Sequence, residues 1–167
     1  ESPRADELYV MDASDAVTDT VYALPAAGLR PGRTVSRQGW PFPLTVRASY
    51  ANASLAERPG VPGLPPSLAD RGAGRDLVVR GENPVARDDA RDMPAAIVEV
   101  SEGGRSLGTW LAATALEAPQ SFEAGGRTWR LGMRSARRYL PFTLTLEDFR
   151  HDVYPGTSIP KNFSSLV

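Results

Sequence analysis

The side chains that could do chemistry are few and concentrated at one end of the chain. His151 is the only histidine, set between Arg150 and Asp152, with Asp148 four residues before Asp152 and Ser164-Ser165 a short way beyond. A general acid–base pair needs two carboxyls converging on one reacting atom. In extended backbone a spacing of four puts Asp148 and Asp152 on one face but far beyond contact, so turn capping or pairing with Arg150 is the expected use of each. Ser164 and Ser165 have no neighbouring histidine, no Gly-x-Ser-x-Gly elbow and no Ser-x-x-Lys spacing, which leaves them without an activating base. No enzyme chemistry is expected from this constellation.

Metal and phosphate chemistry fare no better. One histidine, no cysteine and scattered carboxylates cannot supply a closed nitrogen–sulfur site. Asp88-Asp89 with Asp92 is the nearest calcium-like group, but it lacks the Asp-x-Asp-x-Asp-Gly order that brings oxygens onto one ion, and a solvated acidic loop is the expectation. The pairs Gly103-Gly104 and Gly125-Gly126, and Gly72 with Gly74, read as turn glycines rather than a phosphate cradle. Asn52-Ala-Ser54 and Asn162-Phe-Ser164 match the glycosylation sequon by chance composition.

The basic cluster is denser. Arg127, Arg130, Arg134, Arg137 and Arg138 fall within twelve residues, and in an alternating strand Arg130 and Arg134 face away from Trp129, Leu131 and Met133. Such a face could touch anionic lipid headgroups, propionates or an acidic partner through charge-assisted contacts, with Arg130, Arg134, Arg137 and Arg138 as the contact residues. Equally, it reads as a solvated outer face paired with Glu99, Glu102 and Glu123 on neighbouring strands. Trp40, Trp110 and Trp129 are expected in the core, each having a large apolar area to bury.

The elements that position these residues follow from periodicity. Val10, Ala13, Val17, Val21 and Leu24 recur at helical spacing within 5–24 and predict one helix, ended by Pro25 and Pro31-Gly32. From Phe42 the period becomes two, with Phe42, Leu44, Val46, Ala48 and Tyr50 on one face. Between 57 and 94 come Pro59-Gly60, Pro62-Gly63, Pro65-Pro66, Gly72, Gly74, Gly81 and Asn83-Pro84, a long Pro/Gly-rich loop with room for a short strand over 76–80. Ala95–Ser101 and Ser106–Ala112 flank Glu102-Gly-Gly-Arg105, and Ser121–Ala124 and Thr128–Ser135 flank Gly125-Gly126. Both read as hairpins, because Gly-Gly tolerates the positive φ angles of a tight turn. Phe142, Leu144 and Leu146 then alternate inward in a further strand, followed by a turn at Tyr154-Pro-Gly156. The predicted fold is mainly β: an antiparallel β-sandwich or partly closed barrel with one N-terminal helix and that long loop. Pro41-Phe-Pro-Leu-Thr-Val46 and Pro141-Phe-Thr-Leu-Thr-Leu146 echo each other. Duplication and coincidence both stay open, since no period follows.

Length and composition bound the rest. At 167 residues one domain spanning 1–167 is the default. A formal charge of −1 argues against sequence-independent nucleic-acid binding. All the basic residues but Lys161 are arginine, which fits the codon bias of a GC-rich genome. The chain starts on Glu1 and ends on Leu166-Val167, and has no run of 18 apolar residues, so a piece of a longer protein is expected.

One stretch carries a family likeness. A Pro141-Phe142 start, an alternating apolar segment, Asp148-Phe149, Tyr154-Pro155-Gly156, Pro160 and Phe163-Ser164-Ser165 together resemble the extracytoplasmic domain of the ResB family of cytochrome c biogenesis proteins. The likeness covers about 105–165, with the strand at 40–55 as a weaker match, and the middle loop departs from it. It implies a bacterial membrane protein whose large loop lies on the extracytoplasmic (periplasmic) face, anchored by flanking spans. It also implies work in the machinery that delivers haem and attaches it to apocytochrome c, beside a membrane partner subunit. On that reading this segment is a scaffold or docking surface without turnover, with haem belonging to the full-length assembly and His151 as the one residue that could offer haem an axial nitrogen. The rival expectation is an extracytoplasmic β-sandwich binding module for carbohydrate or protein, unrelated to cytochromes, with a cleft lined by Trp110, Trp129 or Tyr139.

Overall fold

Strand propensity and strand partners, rather than helical spacing, decide the start of the chain. The computed structural model describes residues 5–15, 17–58, 67–85, 90–139 and 141–167. Its strands are β1 (Asp6–Asp12), β2 (Thr20–Pro25), β3 (Thr34–Val35), β4 (Leu44–Tyr50), β5 (Ala53–Glu57), β6 (Leu77–Gly81), β7 (Ala95–Glu102), β8 (Arg105–Ala113), β9 (Gln120–Ala124), β10 (Arg127–Ser135), β11 (Asp148–Val153) and β12 (Pro160–Leu166). The expected helix over 5–24 is replaced by the β1–β2 hairpin. Asp12 accepts the Ser14 N–H, and Asp15 accepts the Val17 N–H and the Thr18 hydroxyl, so these side chains fold the intervening loop back on itself instead of capping a helix. Val17, counted on the apolar helix face, is 90% exposed in that loop.

Two four-stranded antiparallel sheets carry the core, in orders β2-β1-β10-β9 and β3-β4-β7-β8. Leu8, Val10, Trp129 and Leu131 from the first sheet pack on Leu44, Val46, Val98 and Val100 from the second, all with 0% exposure. The arrangement is sandwich-like, with antiparallel sheets and no closed barrel. Phe42 sits at its centre, 5.0 Å from both Phe122 and Trp129 in edge-to-face contacts and stacked on Trp40 at 5.2 Å. Trp110 and Trp129 are buried, while Trp40 is half-buried against the same cluster. The Trp129 indole N–H donates to the Ala124 carbonyl, which satisfies the one polar atom this ring takes inside.

The even alternation predicted for 42–50 breaks at Arg47. Leu44 pairs with Val100 and Val46 with Val98, but Ala48 pairs with Ile97, so β4 holds one residue more than its partner. An extra residue reverses which side chains face which way. Leu44 and Val46 point into the main core, and Ala48 and Tyr50 instead join a second cluster with Ala95, Ile97 and Leu111. That cluster is covered by the β5–β6 hairpin, the short strand expected over 76–80 being β6, and by Ala69. β7 is therefore apolar on both faces because both are buried.

Both Gly-Gly hairpins form where expected. Gly103 and Gly104 have φ of 57° and 79°, and Gly125 and Gly126 of 59° and 68°, values that residues with a Cβ adopt at a cost. The Pro/Gly-rich loop falls partly outside the described residues: Pro59-Gly60, Pro62-Gly63, Pro65-Pro66 and Asp88-Asp89 lie there. Its described part includes a 3-10 turn over Gly72–Asp76.

The chain divides into two compact units, Glu1–Arg137 and Arg138–Val167. The second contains the β11–β12 hairpin as a separate two-stranded sheet. The strand expected over 142–147 is absent: β11 starts only at Asp148, and Phe142, Leu144 and Leu146 are 58%, 69% and 59% exposed. Alternation gives a segment strand propensity, but a ladder needs a partner, and β12 is taken up by 148–153.

Candidate functional site

The segment that holds the only histidine folds as its own hairpin. β11 and β12 run antiparallel, with Phe149 opposite Ser165, His151 opposite Phe163 and Asp152 opposite Asn162. The turn between them is Tyr154-Pro-Gly156, as its residues predict, with Gly156 at φ 77° and the Tyr154 carbonyl accepting the Thr157 N–H. Strand alternation then puts Phe149, His151 and Phe163 on one face. The His151 ring lies parallel to Phe163, 3° off, at 4.8 Å between centroids, and Phe149 stacks on Phe163 at 6.2 Å. All residues of both strands are exposed, Phe149 and Phe163 at 55% and 59%. The hairpin thus presents three rings as one flat patch, of the kind that large exposed apolar surface marks as a contact site.

The opposite face is polar apart from Leu166, which lies across from Asp148. Arg150 donates to Asp148 at 2.9 Å, the pairing expected for that aspartate, and Ser164 and Asn162 lie across from Arg150 and Asp152. Ser164 and Ser165 are exposed on β12 with no base beside them. Among the described residues no three metal-ligating side chains come together. His151 can offer a nitrogen at its ring edge, but its unit supplies no walls around it, so these residues do not fit a closed haem pocket.

The arginine cluster is divided by its partners. Arg134 donates to the buried Glu7 at 2.8 Å and lies over the Tyr9 ring at 4.7 Å. Arg127 donates to Asp12 at 2.7 Å and to the Gly39 carbonyl, and lies over Trp129 at 4.9 Å. Arg130 is exposed and makes no ion pair among the described residues, and Arg137 and Arg138 are exposed. The acids expected to pair with this cluster have other uses. Glu99 pairs with Arg47, Glu102 accepts the Gly125 N–H, and Glu123 accepts the Thr128 hydroxyl. The true partners, Glu7 and Asp12, were hidden because they lie in the segment whose spacing predicts a helix. Read as a strand opposite β10, Glu7 falls directly across from Arg134.

Among the described residues, four carboxylates of the first unit titrate below their ordinary range. Asp70 does so because it accepts the Thr109 backbone N–H, helped by the Thr109 hydroxyl and Arg71. Glu99 does so through a hydrogen bond from Ser106 and the Arg47 guanidinium. For Asp12, desolvation pushes the value up, and the hydrogen bonds from Ser14 together with Arg127 outweigh it. Asp15 is held low by the Val17 N–H and the Thr18 hydroxyl. These are structural carboxylates: each stays charged because a neighbour needs an acceptor.

A cleft of about 550 Å3 in the same unit is lined by Pro25, Leu29, Tyr50 and Met133, with Asp6 and Asp92 at its polar side. Both acids are engaged, Asp6 with Arg91 and Asp92 with the Val85 N–H. Of the residues named for the rival module's cleft, Trp110 and Trp129 are core residues at 4% and 0% exposure, while Tyr139 is 81% exposed. Asn52 of the first sequon is a structural residue, its amide bridging Met93 and Asn83. No helix among the described residues is long and apolar enough to cross a membrane. Comparison with family models, with curated proteins and with solved structures finds no match to this chain.

Proposed function

We propose that this chain is a non-catalytic extracytoplasmic domain of a ResB-like protein and acts as a docking surface in c-type cytochrome biogenesis. The observation that carries the reading is the aromatic face of β11–β12. The segment with the family likeness displays Phe149, His151 and Phe163 as a stacked, exposed patch, and a soluble hairpin has no folding reason to expose three rings together. The first unit folds separately as a sandwich, its core closed by Phe42 and Trp129.

The partners on this reading are the membrane partner subunit and apocytochrome c, with the membrane reached through flanking spans of the parent protein. Haem belongs to the assembled machinery, and the exposed Arg130 is a secondary contact for acidic or anionic groups. Deleting the parent gene and staining for covalent haem tests the proposal. Loss of c-type cytochromes is the expected result, and unchanged cytochromes would sink the assignment. Purified chain is expected to bind no haem stoichiometrically. A Soret shift abolished by His151→Ala would replace docking with haem carriage.

A further inference from the structure

We propose that the open edge of β11 is a self-recognition surface, through which two copies of this chain pair antiparallel about a twofold axis at His151. β11 and β12 form a sheet of two strands, so one edge of β11 carries no ladder partner. A lone two-stranded sheet is marginal in water, and an exposed edge is a template for a further strand. Joining two hairpins by their β11 edges gives one four-stranded sheet.

Charge decides both the occupant and the register. A twofold axis perpendicular to the sheet sets each residue against one on the same face. The six residues of β11 then permit two registers that pair five of them, over 148–152 or over 149–153. The first centres on Arg150, opposing Arg150 to its own copy and Asp148 to Asp152, which is repulsive at every charged position. The second centres on His151. It sets Arg150 against Asp152 of the second copy and Phe149 against Val153 of the second copy, each twice, with the two His151 rings adjacent on the axis. Asp152 makes no ion pair among the described residues, so this register also gives it a partner. β12 is a poorer edge: Pro160 has no N–H to donate, and Lys161 sits at the ladder irregularity.

The groups around His151 are Arg150 and Asp152 on its own strand, Phe163 and Lys161 on β12, and the same groups of the second copy. The inference concerns the edge of the hairpin, and it stands or falls apart from the docking role of its aromatic face.

Sedimentation of the full chain tests it. A reversible dimer is expected at about pH 8. Arg150→Asp and Asp152→Arg are each expected to leave monomer, because each opposes like charges. An equimolar mixture of the two is expected to form a one-to-one heterodimer, and the doubly reversed chain to regain self-association. The near-ultraviolet signal of buried Trp129 checks that the first unit of every variant is folded, and regained self-association of the doubly reversed chain checks its hairpin. A chain monomeric at about pH 8, a dimer indifferent to both single variants, or a mixture that does not associate would each overturn the proposal.

Discussion

Pro41-Phe-Pro-Leu-Thr-Val46 and Pro141-Phe-Thr-Leu-Thr-Leu146 are nearly the same string, and they meet opposite fates. Phe42 is 2% exposed in the centre of the core, whereas Phe142 is 58% exposed. Leu44 and Val46 have β7 beside them and a second sheet above, while Leu144 and Leu146 lie in no ladder. Alternation states that a segment can be half-buried. Whether it is depends on a second layer, which the first unit has and the hairpin unit does not contain.

The largest expected effect breaks this symmetry directly. Phe42→Ala removes a ring packed on Trp40, Phe122 and Trp129 and is expected to cost about 3–5 kcal/mol, while Phe142→Ala stays within about 0.5 kcal/mol. Urea unfolding followed by tryptophan fluorescence measures both. Equal costs would mean that the two strings are equivalent after all.

Turns sharpen the comparison at a smaller scale. Gly125→Ala puts a Cβ 2.7 Å from Pro41 in a residue at φ 59°, whereas Gly156→Ala, at φ 77°, meets nothing within 4 Å. Both carry backbone strain of about 1 kcal/mol, and Gly125→Ala adds the clash, so its loss of stability in the same unfolding experiment should be the greater. Equal losses would show that the β9–β10 turn is as loosely surrounded as the Tyr154-Pro-Gly156 turn.

These pairs also mark what the sequence could show. The two Gly-Gly hairpins and the start of β4 were legible because turn chemistry and alternation are local. The bulge at Arg47 was not, since an extra residue is defined only against the register of β7. The N-terminal segment satisfies helical spacing by accident of Val10, Ala13 and Val17. What overrides it is Asp12 and Asp15 accepting loop backbone N–H groups and a seven-residue pairing with β10. That one misreading also concealed Glu7 and Asp12 as the partners of Arg134 and Arg127. The Asp148–Arg150 pair was within reach of spacing, but the stacking of His151 on Phe163 needed the register of β12.

The smallest expected effect is acid sensitivity of the first unit. The lowered folded values of Asp70, Glu99, Asp12 and Asp15 mean that the folded state binds fewer protons than the unfolded chain. Their contribution is fully present above the ordinary values of 3.8 for Asp and 4.5 for Glu, and it is lost as pH falls through the lowered folded values. Asp70→Asn keeps an acceptor for the Thr109 N–H without the titration, and is expected to flatten the fall of stability between about pH 5 and pH 3. An unchanged slope would place the acid sensitivity elsewhere.

The central claim is that the first unit buries its aromatic residues to fold while the hairpin exposes its own to dock. Replacing Phe149, His151 and Phe163 together by Ser in the parent gene, and staining for covalent haem while measuring the unfolding midpoint of the purified chain, separates the two roles. An unchanged midpoint of the first unit with lost c-type cytochromes is the predicted result; full cytochrome levels with the substituted protein present at normal amount would contradict it.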